Sequence, residues 1–214
     1  MKCNCCWMLA ALVVAVMAGS QAAAQNQLVD GGFEDPLKYT SDGPPFVGFW
    51  EGFSAGAGSF SAHDTSMPLS GSGNAHLGIA NVDNSFAGLF QDVPVVAGQI
   101  VTFSGFNKAA TLLNGPAAEF RIEWRNAVSD TEVSRTDNGM LVLTTAYTPF
   151  SRTHAAPAGA DIARVAYAIQ TFTPGDNTAD VFLDDLSVVI VPEPATLALA
   201  GMAGLALLAV RRRK

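Results

Sequence analysis

The chain has 214 residues, 49% of them hydrophobic and 14% charged, with a formal net charge of −7. So high an apolar fraction excludes an intrinsically disordered polymer, and the length suits one domain with appended segments. The acidic balance argues against nucleic-acid binding, which needs clustered cations.

At the N-terminus, Lys2 precedes an apolar run from Trp7 to Ala18, and Ala22-Ala23-Ala24 supplies the small residues that signal peptidase requires. Residues 1–24 therefore read as a secretory signal helix cleaved after Ala24, with signal peptidase as the first partner. All three cysteines, Cys3, Cys5 and Cys6, fall inside it. Without a downstream partner, this cluster falls short of the four ligands of a zinc site. Cleavage leaves a chain with neither a disulfide nor a thiol nucleophile.

Residues 25–191 form the expected body, with seven Lys/Arg against eighteen Asp/Glu, a net charge of −11. Its pattern is all-β. Phe120, Ile122 and Trp124 alternate with Glu119, Arg121, Glu123 and Arg125, as on a half-buried strand. Ile100 to Phe106 is rich in β-formers. Val165, Tyr167 and Ile169 share one face of a strand over 164–170, and Val181 to Val191 reads as a strongly apolar last strand broken by Asp184-Asp185. Between them recur turn signals such as Asp42-Gly43-Pro44-Pro45, Ser70-Gly71-Ser72-Gly73-Asn74 and Asp137-Asn138-Gly139. Many short strands between such turns predict a β-sandwich.

Leu28-Val29-Asp30-Gly31-Gly32-Phe33-Glu34 opens this body and Gly48-Phe49-Trp50 follows. Phe86 to Val93, Val96 to Phe106 and the closing Val181 to Val188 come next in order. The progression, spanning most of residues 27–190, resembles the jelly-roll carbohydrate-binding modules of the galactose-binding-like superfamily. That resemblance implies a structural calcium ion tying the first strand to the last. Its ligands here would be the Gly32 carbonyl, the Glu34 carboxylate, and Asp184 or Asp185, with Asp64 as a poorly matching loop candidate. Calcium takes six to eight hard oxygens, backbone carbonyls included. Period-two geometry places Asp184 on the buried side with Leu186 and Val188, where an unpaired carboxylate would be costly and a cation would relieve it.

Sugar binding would use aromatic rings beside polar groups. The candidate ligand set is Trp50, Arg121 and Glu123, with Trp50 open between a sugar platform and a core role. Trp124 reads as core, since it shares its face with Phe120 and Ile122. Thirteen phenylalanines against two tryptophans in the body point to packing rather than to a broad sugar platform. Catalysis finds no constellation: His63, His76 and His154 lack metal-ligand spacing, and Gly56-Ala57-Gly58-Ser59-Phe60 lacks the closing glycine of a nucleophile elbow. Glu119 and Glu123 would stand roughly 13 Å apart on a strand, beyond the ~5–9.5 Å of glycosidase pairs.

The C-terminal segment, 192–214, begins with Pro192-Glu193-Pro194, runs through the apolar stretch Ala195 to Val210, and ends in Arg211-Arg212-Arg213-Lys214. As a helix the stretch would reach about 24 Å, slightly short of a ~30 Å hydrocarbon core unless the arginines snorkel. The basic cluster would stay on the cytoplasmic side. This order of parts resembles the PEP-CTERM sorting signal of exported bacterial proteins. The resemblance implies an exosortase as partner and a transmembrane helix retained only transiently. The expectation is therefore an exported protein of the cell surface or extracellular polysaccharide matrix. Its all-β jelly-roll sandwich, flanked by a signal helix and a sorting helix, would bind extracellular polysaccharide without catalysis. A structural or adhesive matrix protein that binds no sugar is the alternative, and a glycan-active hydrolase the third.

Overall fold

Alternating apolar and polar side chains, interrupted by Gly, Asn and Asp turns, produce eleven strands among the described residues. A computed structural model describes residues 25–82, 84–113, 117–171 and 177–191. The expected signal helix and sorting helix lie outside them. Among the described residues, no helix is long and apolar enough to cross a membrane.

The strands are β1 (Tyr39–Thr40), β2 (Trp50–Ala55), β3 (Phe60–Asp64), β4 (Asn74–Val82), β5 (Phe86–Pro94) and β6 (Ile100–Leu113). They continue as β7 (Ala117–Asn126), β8 (Thr131–Leu141), β9 (Thr148–Ala155), β10 (Ile162–Gln170) and β11 (Asn177–Val191). A six-stranded sheet runs β1-β2-β5-β10-β7-β8 and a five-stranded sheet β3-β4-β11-β6-β9. β1 lies parallel to β2, and every other strand pairing is antiparallel. This is the all-β sandwich that the turn spacing predicts. Chain neighbours often sit in opposite sheets: β9 pairs with β6 in one, while β10 pairs with β5 and β7 in the other.

The core lies between the sheets. Leu77, Ile79, Val101, Phe103, Val181, Leu183, Leu186 and Val188 face Leu89, Val93, Phe120, Ile122, Trp124, Val165, Tyr167 and Ile169. Rings from both sheets meet there: Phe120 stands 6.0 Å from Phe103 and 4.7 Å from Phe150, and Tyr167 stands 5.5 Å from Phe150. Burying each such side chain contributes about 1.5–3 kcal/mol. Two side-chain amides hold the N-terminal segment to the sandwich. Asn26 donates to the Leu186 carbonyl (3.1 Å) and accepts from Val188 N (2.8 Å). Gln91 accepts from Val29 N (2.8 Å) and donates to its carbonyl (3.0 Å).

Trp50 belongs to this core. It is 0% exposed, its ring lies 5.2 Å from that of Phe33, and its Nε1 donates to the Asp30 carbonyl at 2.9 Å. The candidate role as a sugar platform is thereby corrected. Gly48-Phe49 brings the chain into β2 with position 50 on the inner face.

The reason given for burying Asp184 is also corrected. Ala179, Val181 and Leu183 point into the core, and so do Leu186 and Val188, so the inward phase changes between 183 and 186. A bulge in the β11–β6 register between Asp184 and Ser187, with Asp185 at φ 51, supplies the extra residue. Asp184 therefore shares the outer face with Phe182, and it is a covering loop that buries it there.

Candidate functional site

That loop, residues 65–73, sits beside the turn at 30–34. Asp184 Oδ2 accepts the N–H groups of Leu69 (2.7 Å) and Ser70 (3.0 Å), and its Oδ1 accepts that of Asp185 (2.7 Å). Burial raises the Asp184 carboxyl above its ordinary range, and the three N–H groups pull the other way without reversing the shift. The buried carboxylate is thus hydrogen-bonded by backbone, which removes the earlier argument for a cation at this residue.

Glu34 grips the same loop. It accepts from Ser72 N (2.9 Å) and Ser72 Oγ (2.7 Å), and more distantly from Gly73 N (3.4 Å). The Ser72 hydroxyl, then its N–H, holds the Glu34 carboxyl below the usual range. Ser70 Oγ donates to Asp185 Oδ1 at 2.9 Å. Glycine is required where the loop meets the turn, since a methyl on Gly73 would stand 1.8 Å from the Phe33 carbonyl oxygen. Phe33 itself has φ 56, a costly conformation for a bulky residue. It is held there by ring packing on Trp50, by its N–H donating to the Asp30 carbonyl, and by its own carbonyl meeting His63 Nε2.

The four residues assigned to calcium are brought to one place, but not equally. Asp185 Oδ1 and Glu34 Oε1 lie 3.8 and 3.9 Å from where a Gly32 Cβ would stand. Two carboxylates, serine hydroxyls and loop carbonyls are hard oxygens suited to calcium. Among the described residues, no three His, Asp or Glu side chains are gathered as a metal cluster, so a cation here would draw on backbone and hydroxyl oxygen. Glu34 and Asp185 are the two carboxylates nearest Gly32, and Asp184 serves as the loop's anchor. Asp64 stands apart: it accepts from Thr65 N, Ser66 N and the Ser66 hydroxyl, 3.8 Å from His76 Nδ1.

A second site crosses the outer face of the six-stranded sheet. Register places Phe90, Ala166 and Arg121 in one row, and Asp92, Arg164 and Glu123 in the next. Gly88 and Ala168 continue the small-residue floor. Phe53, Phe90 and Arg164 stand on one side, with Arg121 and Glu123 on the other, around an open trough of about 220 Å³. The aromatic wall is continuous: Phe90 lies 5.0 Å from Phe46 and 6.1 Å from Phe53.

Arg164 spreads over Phe90 with its guanidinium carbon 4.0 Å from the ring centre and forks onto Asp92 at 2.7 and 2.9 Å. Arg121 reaches both Glu119 and Glu123, the latter at 2.8 Å. Sequence reasoning found Arg121 and Glu123 but missed Phe53, Phe90 and Arg164. The available signal was the outward half of β5, where Phe86, Gly88, Phe90 and Asp92 alternate with inward Ala87, Leu89, Gln91 and Val93.

Two sheets, antiparallel except where β1 meets β2, form a jelly-roll β-sandwich whose fold is similar to that of carbohydrate-binding modules. The CBM22-1 xylan-binding domain of Paenibacillus barcinonensis Xyn10C is similar at 17% identity and TM-score 0.53, covering 80% of this chain and 98% of that one. A family 16 carbohydrate-binding module is similar at 15% identity and TM-score 0.50, covering 77% and 99%. The enzymatically active domain of bacteriophage CBA120 tailspike protein 4 is similar at 14% identity and TM-score 0.56, covering 78% of this chain. This chain spans only 21% of that structure's length. Such identities establish likeness of fold. Among curated proteins, no sequence matches the chain. Residues 191–214 match the PEP-CTERM protein-sorting motif. The chain is thus an exported protein with a sorting signal at its C-terminus and a carbohydrate-binding-module fold before it.

Proposed function

We propose that this protein is an exported bacterial glycan-binding protein of the cell surface or extracellular polysaccharide matrix. In this reading an exosortase removes the sorting tail, and the sandwich then holds a sugar chain without cleaving it. The observation that carries the reading is the trough, where the aromatic side chains of Phe53 and Phe90 stand across from Arg121 and Glu123. Pyranose rings present apolar faces and hydroxyl edges, which suits such a wall pair. Catalysis is disfavoured because Arg121 ion-pairs both Glu119 and Glu123, leaving neither as a free acid or base.

Affinity electrophoresis through gels containing soluble polysaccharides tests this. The wild-type chain is retarded by at least one polysaccharide, and Phe90→Ala weakens that retardation about tenfold or more, as expected for ~1.4 kcal/mol or more of lost contact. A surface control such as Thr153→Ala leaves it unchanged. Pairing of both trough arginines with carboxylates favours the second reading, a matrix protein that packs or adheres without holding sugar. A wild-type chain that no polysaccharide retards would support that one.

We further propose that calcium occupies the Gly32, Glu34 and Asp185 position as a structural ion. Supporting it are the two carboxylates flanking Gly32 and the loop that they hold. Calcium at a hundredfold excess over its dissociation constant would add about 2.7 kcal/mol, raising Tm by about 5–10 °C for a chain of this size. Asp185→Asn removes most of that rise. An EDTA-treated protein that melts unchanged on adding calcium, and carries no metal after dialysis, would sink the idea.

A further inference from the structure

Both ends of the described body leave the sandwich at the same pole. Asn26 bridges Val189, while Val191 pairs with Ile100, itself paired with Ala155. Three loops close that pole, at 95–99, 126–130 and 156–161. They form one hydrogen-bonded cap: Val95 N donates to the Asp161 carbonyl, Gly98 N to the Ala156 carbonyl, and Asp161 N to the Arg125 carbonyl. Asn126 Nδ2 reaches the Gly159 carbonyl at 3.1 Å.

The cap exposes apolar side chains and few charges. Its tips are apolar, with Val128 94% and Val96 65% exposed, flanked by exposed Ala97, Ala127 and Ala158. On a body of net charge −11, these loops carry only two acidic residues. Asp130 is paired with Arg125 at 3.1 Å, and Asp161 accepts from Ala127 N at 2.7 Å.

The sorting segment dictates what this pole faces. Only Pro192, Glu193 and Pro194 separate Val191 from the apolar run that begins at Ala195. At ~3.3–3.6 Å per residue, the four steps from 191 to 195 span at most about 14 Å. We infer that the 95–99, 126–130 and 156–161 cap is a membrane-resting face, seated on the lipid surface while the sorting segment is in the bilayer. The inference rests on the proposed membrane insertion of residues 195–210. An acidic body held within about two Debye lengths of anionic lipid is repelled, and a pole of valine and alanine tips turns few charges toward it. Exposed valines at loop tips gain by entering the headgroup boundary. Tail cleavage removes the tether and leaves the cap a weak contact.

The test uses the full chain with Cys3→Ser, Cys5→Ser and Cys6→Ser, and single labelling sites from Val96→Cys, Val128→Cys or, as opposite-pole control, Ala57→Cys. Each variant carries an environment-sensitive fluorophore and is reconstituted into phosphatidylethanolamine–phosphatidylglycerol vesicles. Flotation reports insertion separately from the probe. The expected result is co-flotation with a blue shift and quenching by headgroup spin-labelled lipid at positions 96 and 128, and neither at 57. Co-flotation with water-like probes at 96 and 128 would overturn the resting face while leaving the anchor intact. Failure to float would overturn the insertion on which the inference depends. Shielding of 96 and 128 that appears only when exosortase is co-reconstituted would assign the cap to a protein partner and overturn the lipid assignment.

Discussion

Trp50→Ala lowers the stability of the folded chain by about 3–5 kcal/mol, as for large aromatic truncations in well-packed cores. For a chain of this length that is a fall in Tm of roughly 6–20 °C. The indole is wholly enclosed, packed at a tilt on Phe33, and bonded through Nε1 to the Asp30 carbonyl. Truncation leaves a cavity, and it also frees the Asp30–Phe33 turn from which Glu34 reaches the 69–73 loop. Thermal melts of Trp50→Ala beside Phe90→Ala separate the two aromatic roles. Phe90 lies on the open trough and costs far less stability, while carrying the expected loss of polysaccharide retardation. Below its melting point, Trp50→Ala retains whatever retardation the wild type has. A Trp50→Ala chain that melts normally yet loses retardation would restore the platform reading and contradict its burial.

Why one tryptophan was legible and the other was not follows from local pattern. Trp124 sits in a run whose alternation continues for seven residues, so its face is set by Phe120 and Ile122. Trp50 opens its strand after Gly48, and nothing before it fixes the phase. The same logic explains Asp184. Counting by twos from Leu186 is sound only on an unbroken strand, and the bulge at Asp184–Asp185 breaks it. Burial was right for the residue and wrong for the face, because the cover comes from a loop 115 residues away in sequence. The trough was half legible. Arg121 and Glu123 are read from one strand's alternation, whereas Phe53, Phe90 and Arg164 join them only through the β2-β5-β10-β7 order. Sheet order is long-range information that local periodicity does not contain. The sorting motif was readable because it is a linear signal.

Asp184→Ala removes the acceptor for Leu69, Ser70 and Asp185 N–H together. Each of these groups costs about 1–3 kcal/mol where it is left without a partner and shielded from water. Water reaches part of an opened loop, so the expected loss is about 3–5 kcal/mol rather than the full sum. Amide exchange of Leu69 and Ser70 quickens well beyond the global change in stability. The pH dependence carries a distinctive sign. Burial raises the Asp184 carboxyl in the folded chain, so folding favours its protonated form. Its favourable balance is complete below the ordinary carboxylate range and is lost as pH rises through the raised folded value. The loss on Asp184→Ala is therefore larger in acid than at neutral pH.

Glu34, which grips the same loop, behaves oppositely. Ser72 lowers its carboxyl, so its contribution is present above the ordinary range and fades as pH falls through the lowered value. The effect of Glu34→Ala thus shrinks in acid while that of Asp184→Ala grows. Urea denaturation of both variants against wild type, from neutral pH down to the carboxylate range, reads the two slopes. Parallel slopes would mean that the two carboxylates do not hold the loop in the separate ways that burial of Asp184 and hydrogen bonding of Glu34 dictate.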